Sequence, residues 1–188
     1  MLNIITGNTG KYAEICEFLP AWLETKQVDL DIPEIQTNIL TDISYDKCLQ
    51  AWVEVQWPVL VDDSGIYFDA YDQFPGALTK YVYQGIGLEG IAKLFAWVQN
   101  KKATFQSAVS YMDGTLSEPI QFIGEVQGTL NFEYLWQESE DTRLPYDLIF
   151  VPEGMEKPSF FDMAKRKSVY NHRVTAVKKF TDWWTQKW

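Results

Sequence analysis

The sequence predicts an α/β fold built on a long mixed central β-sheet with flanking helices. Its first half alternates short apolar runs with helical patterns, whereas residues 103–130 carry longer strand patterns joined by turns. Strands that alternate with helices favour parallel pairing and hairpins are antiparallel, so the two parts together predict a mixed sheet. The chain has 188 residues, 46% of them hydrophobic, and shows no low-complexity linker, which predicts one domain over residues 1–188.

The first quarter of the chain supplies the strand and helix that open this fold. The apolar residues 2–6 predict a buried strand that ends in a Gly-containing turn. A helix is predicted to begin near Gly10, because apolar residues recur from Ile15 onward at i, i+3, i+4 and i+7. Residues 28–32 alternate as a second strand, and Ser44 is expected to cap the next helix.

The centre of the chain is predicted to place an acidic turn between two strands. Residues 58–61 and 66–70 have strand patterns, and Asp62-Asp63-Ser64-Gly65 interrupts them. Pro75-Gly76 is expected to open a short helix, and the apolar stripe within residues 88–98 predicts a longer one.

The last third is predicted to be a strand followed by a helix. Turns at Asp113-Gly114 and Glu118-Pro119 divide the long strands of the centre, and residues 138–143 form a polar loop. Residues 146–151 then predict a strand, and an apolar stripe that begins at Val174 predicts a C-terminal helix.

Composition excludes several classes of protein. The formal net charge of −10 argues against general binding of nucleic acid, because a phosphate backbone requires a basic face. The sequence contains no apolar run of membrane-spanning length and does not start with a signal-peptide pattern. Cys16 and Cys48 have no metal-ligand spacing, so we expect reduced core thiols in a cytoplasmic protein.

Residues Thr6-Gly7-Asn8-Thr9-Gly10-Lys11 have the pattern of a phosphate-binding loop between a strand and a helix. Backbone N–H groups at a helix N-terminus attract anions, and glycine permits a close approach. Asn8 is placed to donate to a phosphate oxygen, and Lys11 supplies a full charge. The loop does not fit the Walker A pattern, since that would require Gly at Ile5 and a hydroxyl residue at Tyr12. An ordinary Gly-Asn turn before a helix is the alternative.

Asp62 and Asp63 follow directly on an apolar strand and are candidates for binding a metal ion. Successive strand residues point to opposite faces, so only one of the two carboxylates needs to face a cleft. Carboxylates at strand ends are usual ligands of Mg²⁺, which prefers oxygen and retains waters. A solvated turn is the alternative here, and Glu14 and Glu34 are further acidic candidates.

A basic cluster near the C-terminus is suited to a small polyanion. Seven of the 16 Lys and Arg residues lie between residues 157 and 179. Lys167 precedes the run Asn171-His172-Arg173, which contains the only histidine and starts the predicted last helix. Cations at a helix N-terminus oppose the helix dipole, so a bound anion would account for them. A solvated helix start is the alternative.

Together these segments resemble the inosine triphosphate pyrophosphatase family (ITPase-like, or XTP/dITP diphosphatases), from Thr6 to about Val177. The matching segments occur in the order Thr6–Lys11 with Glu14, Pro33-Glu34, Lys47, Asp62-Asp63-Ser64-Gly65, Phe74-Pro75-Gly76, Tyr146-Asp147 with Phe150, Pro152-Glu153-Gly154, Lys167 and His172-Arg173. The resemblance implies a sheet between two lobes, a nucleotide in the cleft between them, and a homodimer.

The resemblance also implies hydrolysis of purine nucleoside triphosphates with a 6-keto group, such as ITP, dITP and XTP, to the monophosphate and pyrophosphate. This reaction cleanses the nucleotide pool and uses Mg²⁺, or Mn²⁺ in its place. The metal residues would be Glu34 and Asp63, with Asp63 also the base for the attacking water. The implied triphosphate contacts are Thr6, Asn8, Lys11, Lys47 and Ser64, and Lys11 is also counted with Glu34 and Asp63 as catalytic. On the base side, Tyr146 would stack on the ring, and Asp147, Lys167, His172 and Arg173 would read its edge or neighbour the phosphates.

Two departures from the family pattern concern the base side. The segment Leu144-Pro145-Tyr146-Asp147 stands where the family has a Gly-rich loop ending aromatic-Gly-aromatic-Asp, and Asn171 replaces the usual Ser before His-Arg. Pro145 removes a donor and stiffens the loop. Two alternatives therefore stay open, namely the same reaction with a different nucleotide preference, and a non-catalytic nucleotide-binding protein. It is also open whether Glu14 or Asp62 assists the metal.

Overall fold

The computed structural model of the chain describes residues 1–136, 145–161 and 171–187. Within these ranges seven strands form one sheet, in the order β2-β1-β3-β5-β6-β7 with β4 pairing β3 off this path. The strands are β1 (Leu2–Ile5), β2 (Thr25–Val28), β3 (Val59–Phe68), β4 (Pro75–Gly76), β5 (Lys102–Met112), β6 (Ile120–Leu130) and β7 (Phe150–Pro152). Because β1 is parallel to β2 and β3 while the other pairs are antiparallel, the predicted mixed sheet is confirmed.

Four α-helices in the described ranges cover the sheet. They are α1 (Thr9–Phe18), α2 (Leu40–Val55), α3 (Thr79–Leu94) and α4 (His172–Lys187). Helices α1 and α4 pack on one face through Ile15 and Phe180, whereas α2 packs on the other through Cys48 and Ala51. The thiols of Cys16 and Cys48 are both free. No helix of the described ranges has the length and hydropathy to cross a membrane.

The predicted acidic turn is wrong, because β3 runs without a break from Val59 to Phe68. Each of its two carboxylates meets a cation on its own side of the sheet, Lys11 for Asp62 and Lys47 for Asp63. Compensated charges are tolerated inside a strand, which composition alone does not indicate.

The second strand and the cap of the second helix were also misplaced by the sequence patterns. Strand β2 ends at Val28, which is the first residue of the predicted strand 28–32. Leu30 and Ile32 belong to the following loop and pack against the core beside α2. Helix α2 begins at Leu40, so Ser44 lies in its interior. The Ser44 hydroxyl donates to the carbonyl of Ala108 at 2.8 Å instead of capping the helix.

Pro75-Gly76 forms strand β4, which pairs with β3, and does not open a helix. Gly76 has a φ of 55°, and a Cβ at Gly65 would lie 2.4 Å from its carbonyl oxygen. Both positions therefore require glycine. Helix α3 starts at Thr79 and is kinked at Gly87 (φ 62°), so its two parts correspond to the two predicted helices, although it ends before Val98.

The first half of the predicted strand 146–151 is a 3-10 turn. Residues Pro145–Leu148 form the turn, and β7 begins only at Phe150. Proline fixes φ near the helical value and removes a ladder donor, which favours a turn over a strand at Pro145. The predicted long strands and C-terminal helix are confirmed.

Candidate active site

One edge of β3 is left open where the carboxylates lie. On one side β3 pairs with β5 from Val59 to Phe68. On the other side the described strands pair with it only at residues 59–61, through β1, and at Ile66 and Tyr67, through β4. A cavity of about 1080 Å³ lies at residues 62–64 of this edge, which is ample for a nucleotide. The phosphate-loop residues 6–9 and 11, the loop 29–34, and α2 and α3 complete its walls.

The loop Thr6–Lys11 has the predicted strand–turn–helix form and lines this cavity. Asn8 is the N-cap of α1: its Oδ1 accepts from the N–H groups of Gly10 (2.9 Å) and Lys11 (3.1 Å). The Thr6 hydroxyl accepts from the N–H of Asn8 at 3.1 Å. Thr6 and Asn8 therefore shape the loop. The groups of the loop that can donate to an anion are the Asn8 Nδ2 and the Lys11 ammonium.

Asp63 faces α2 and belongs to a carboxylate–ammonium–carboxylate group. Lys47 Nζ lies 3.0 Å from Asp63 Oδ1 and 2.9 Å from Glu34 Oε1. Asp63 Oδ2 is buried and has no hydrogen-bond partner among the described residues. A buried, unsatisfied carboxylate oxygen at a cavity wall is a site for a ligand, because leaving it unpaired is costly.

The charges of this group are set by opposing effects. Burial raises the pKa of Asp63 above its ordinary value, with a further contribution from Asp62, although Lys47 and Lys11 oppose the shift. Burial acts in the same direction on Glu34, but Lys47 outweighs it and lowers the pKa of Glu34. Burial therefore makes Asp63 more basic than an ordinary aspartate, which suits a proton acceptor, whereas Lys47 makes Glu34 less basic than an ordinary glutamate.

Asp62 faces the opposite side of the sheet and belongs to a buried ion network. Its Oδ2 accepts from Arg173 Nε at 2.8 Å and lies 3.0 Å from Lys11 Nζ, while its Oδ1 accepts from the Ser107 hydroxyl. Burial alone would raise the pKa of Asp62, but Arg173 and Lys11 hold it well below its ordinary value. Lys11 also donates to the Asp62 carbonyl on the open edge, at 3.1 Å. Asp62 thus fixes Lys11 from behind the cavity.

Arg173 lies beneath the site, with a side chain that is 1% exposed. Besides Asp62, it donates to Glu14 and, at 3.1 Å, to the hydroxyl of Ser64, which lines the cavity. Asn171 caps α4 and donates to Glu14. The asparagine that replaces the usual Ser at position 171 therefore caps α4 and binds Glu14. Sequence reasoning had assigned this replacement to base recognition.

The remaining base-side residues lie in or beside the hydrophobic cluster that contains Phe68 and Phe105. Tyr146 is buried, donates to the Thr79 carbonyl at 3.1 Å and packs near Tyr83. The His172 ring stacks on Phe105 at 4.7 Å between centroids. Asp147 is also buried, and Lys167 lies outside the described residues. The structure thus brings together the predicted phosphate and metal residues, whereas stacking and edge reading by the base-side residues stay predictions.

Among the residues of the cavity wall that sequence reasoning missed, four have charged or hydroxyl-bearing side chains. Lys80 and Tyr81 enter from the first turn of α3, and Asp29 and Asp31 from the loop after β2. Lys80 contributes to lowering the pKa of Glu34, which places its charge near the metal candidates. The sequence feature that could have indicated Lys80 is its position four residues after Pro75-Gly76. In the structure Pro75-Gly76 pairs with β3, the strand that carries Asp62 and Asp63.

Comparison with known proteins gives a consistent result. A sequence model described as the Ham1 family matches residues 2–183. A dITP/XTP pyrophosphatase of Methanopyrus kandleri is 36% identical over 181 residues, covering 95% of this chain and 93% of that protein. An inosine triphosphate pyrophosphatase of Phaeosphaeria nodorum is 31% identical over 187 residues, covering 99% and 95%.

Solved structures show the same architecture. A HAM1 protein from Coxiella burnetii superposes with a TM-score of 0.78 at 25% identity, covering 99% of this chain and 100% of that chain. The Staphylococcus aureus Ham1 protein also has a TM-score of 0.78, at 18% identity and full coverage of both chains, which supports the fold alone.

Proposed function

This chain belongs to the Ham1 family, and from that premise we propose that it hydrolyses purine nucleoside triphosphates with a 6-keto base to the monophosphate and pyrophosphate. The substrates are ITP, dITP and XTP, in keeping with the names of its relatives. The observation that carries the proposal is Asp63, whose buried Oδ2 is unsatisfied at a cavity walled by a phosphate loop. Removal of these nucleotides from the pool is the corresponding role.

The cations of the cavity would bind the triphosphate. Lys11 and Lys47 are each held at about 3 Å from a carboxylate, so they are oriented before substrate arrives. Asn8 Nδ2 and the Ser64 hydroxyl add neutral donors on the same wall. Lys80 adds a third charge from α3, which makes the cavity suited to a polyanion although the whole chain is acidic.

Glu34 and Asp63 would hold a Mg²⁺ or Mn²⁺ ion. Their carboxylates share Lys47 and line one cavity, and the unsatisfied Asp63 Oδ2 fits the hard oxygen donor that Mg²⁺ prefers. Because Mg²⁺ keeps waters and takes phosphate oxygens as ligands, two protein carboxylates suffice to hold it. When bound, the ion would neutralise phosphate charge and orient a water.

In the reaction we propose, Asp63 accepts a proton from the water that attacks the α-phosphorus. The new P–O bond forms as the bond from the α-phosphorus to the bridging oxygen breaks, and pyrophosphate leaves. Charge gathers on the phosphate oxygens, where Lys11 and Lys47 offset it. The raised pKa of Asp63 makes its carboxylate a stronger proton acceptor than an ordinary aspartate.

Release of pyrophosphate tests this function directly. With Mg²⁺ present, we expect turnover of ITP, XTP and dITP at rates well above those of GTP, ATP and pyrimidine triphosphates. A preference for another nucleotide would support the alternative specificity, which the burial of Tyr146 and the Pro145 turn favour. Nucleotide binding without turnover of any member of the panel would identify a non-catalytic binding protein.

The Lys80→Ala variant tests the missed cation. Lys80 lies on the cavity wall but has no direct contact with Glu34 or Asp63. We therefore expect KM to rise about threefold to tenfold with a smaller change in kcat. Steady-state kinetics with the preferred nucleotide measure both constants. Lys93→Ala is the matched control, since Lys93 lies exposed in the last turn of the same helix. An unchanged KM in Lys80→Ala would remove Lys80 from the substrate site.

We also propose that residues 1–188 act as one domain, as a cytoplasmic homodimer. The single sheet joins both sides of the cavity, which supports one domain. A nucleotide-pool substrate and two free cysteines suit a reducing compartment. Exposed apolar side chains such as Trp57 and Val53 are available for a subunit contact, and light scattering of the purified chain measures the mass.

A further inference from the structure

The side-chain amide of Asn171 joins the two helices that lie behind the cavity. Its Oδ1 accepts from the N–H groups of Arg173 (2.8 Å) and Val174 (3.3 Å), which caps α4. Its Nδ2 donates to Glu14 Oε1 on α1. Asn171 is only 3% exposed, so both contacts form away from water. One buried amide therefore serves as a helix cap and as a clamp on a second helix.

Glu14 connects this clamp to the phosphate loop. It lies three residues after Lys11, so both side chains occur on the same side of α1. Its second oxygen accepts from Arg173, and Arg173 in turn holds Asp62 Oδ2, to which Lys11 Nζ is bound at 3.0 Å. Contacts thus run without a gap from Asn171 through Glu14, Arg173 and Asp62 to Lys11.

The position of α1 decides where the loop presents its donors. Ile15 and the C-cap residue Leu19 fix the later part of α1 in the core, whereas Glu14 ties its second turn to α4 by polar contacts. Asn8 and Lys11 both belong to the first turn or its cap. A shift of Glu14 would therefore move both phosphate donors together.

We propose that Asn171 is a positioning residue for polyphosphate binding: through Glu14 it fixes the first turns of α1 and the Lys11 ammonium. The proposal rests on the proposed function only in taking Thr6–Lys11 as the phosphate site. It assigns Asn171 to the phosphate end of the cavity, whereas the position of Asn171 in the sequence suggested the base. A ligand that has phosphates and no base is therefore the decisive probe.

The Asn171→Ser variant separates the two roles of the amide. A serine hydroxyl caps a helix about as well as asparagine, but it cannot cap α4 and also supply the Nδ2 that holds Glu14. We expect inorganic tripolyphosphate, titrated calorimetrically in Mg²⁺ buffer, to bind about threefold to tenfold more weakly, the effect of losing one buried hydrogen bond. The melting temperature should fall by no more than about 5 °C, since the cap persists and only the buried hydrogen bond to Glu14 is lost.

Asn131→Ser is the matched control. Asn131 caps the 3-10 turn Phe132–Tyr134 through the N–H of Glu133 at 2.9 Å, and it does not line the cavity. Its replacement should leave the affinity for tripolyphosphate unchanged. Weaker binding in both variants would show that loss of any cap amide suffices, and would overturn the proposal.

A double-mutant cycle tests the route through Glu14. Glu14→Gln should weaken tripolyphosphate binding at least as much as Asn171→Ser, and the two changes together should be less than additive, because they break the same connection. Full additivity would contradict the route. An Asn171→Ser variant with unchanged tripolyphosphate affinity and a changed KM for nucleotide would return Asn171 to base recognition. These binding measurements need no turnover, so a failure of the proposed activity would be seen separately.

Discussion

Asp63→Asn is expected to lower kcat for pyrophosphate release by about 10³-fold, within the range for loss of a general base. The amide cannot accept the proton from water and supplies no negative charge for the metal. It keeps the shape of the carboxylate and an oxygen that can accept from Lys47, which Asp63 Oδ1 now does at 3.0 Å. Single-turnover kinetics with saturating nucleotide and Mg²⁺ would measure the chemical step.

The fold should survive this change. Because the pKa of Asp63 is raised, the folded state disfavours its charged form, so a neutral residue there should leave the melting temperature unchanged or higher. Asp72→Asn is the control: Asp72 is exposed, and its left-handed φ of 49° suits asparagine. A fully folded Asp63→Asn variant that works within about tenfold of the natural rate would exclude Asp63 as the base.

Arg173→Met is expected to lower the free energy of unfolding by about 3–5 kcal/mol, the usual cost of removing one partner from a buried ion network. The change removes the guanidinium that bonds to both Asp62 and Glu14, so these two buried carboxylates lose a shared cationic partner. Urea denaturation followed by fluorescence of the eight tryptophans would measure it. A loss below about 1 kcal/mol would contradict the network's importance.

The pH dependence of this loss has a definite sign. Arg173 helps to hold the pKa of Asp62 below its ordinary value, so Asp62 contributes stability that is present above the unfolded pKa of about 4 and is lost as pH falls further. Without Arg173 the part of that contribution that depends on the guanidinium is lost, while Lys11 and Ser107 still lower the pKa of Asp62. The difference between natural and variant proteins should therefore be largest near neutral pH and shrink below about pH 4. Adding Asp62→Asn to Arg173→Met should recover part of the stability at neutral pH.

The order of elements and the phosphate end of the site could be predicted from sequence, because both depend on local pattern. The loop Thr6–Lys11 and the strand before it have short-range signals in the form of glycines and an apolar run, and the structure has the predicted form there. Glu34, Lys47 and Asp63 were assigned through the family resemblance, and the structure brings the three together.

The errors arose where distant partners decide the local structure. Asp62-Asp63 has the composition of a turn, and it is a strand only because Lys11, Lys47 and Arg173 come from three other elements to neutralise it. Ser44 looks like a cap, but its acceptor is 64 residues away. No local pattern contains this information, which belongs to the tertiary structure.

The open edge of β3 has a consequence for how the site forms and is lost. Strand β3 is joined to residues 3–5 on one side and to residues 103–112 on the other, so it lies at the middle of the sheet and is built from segments far apart in sequence. We expect such a strand to assemble late in folding, and we expect the amide hydrogens that it donates to β5 to exchange only when the whole domain opens. Because Asp62 and Asp63 both lie in β3, we expect the two carboxylates to leave their partners together when this strand unfolds. We therefore expect inactivation by heat or denaturant to follow the global unfolding curve, with no earlier loss of activity.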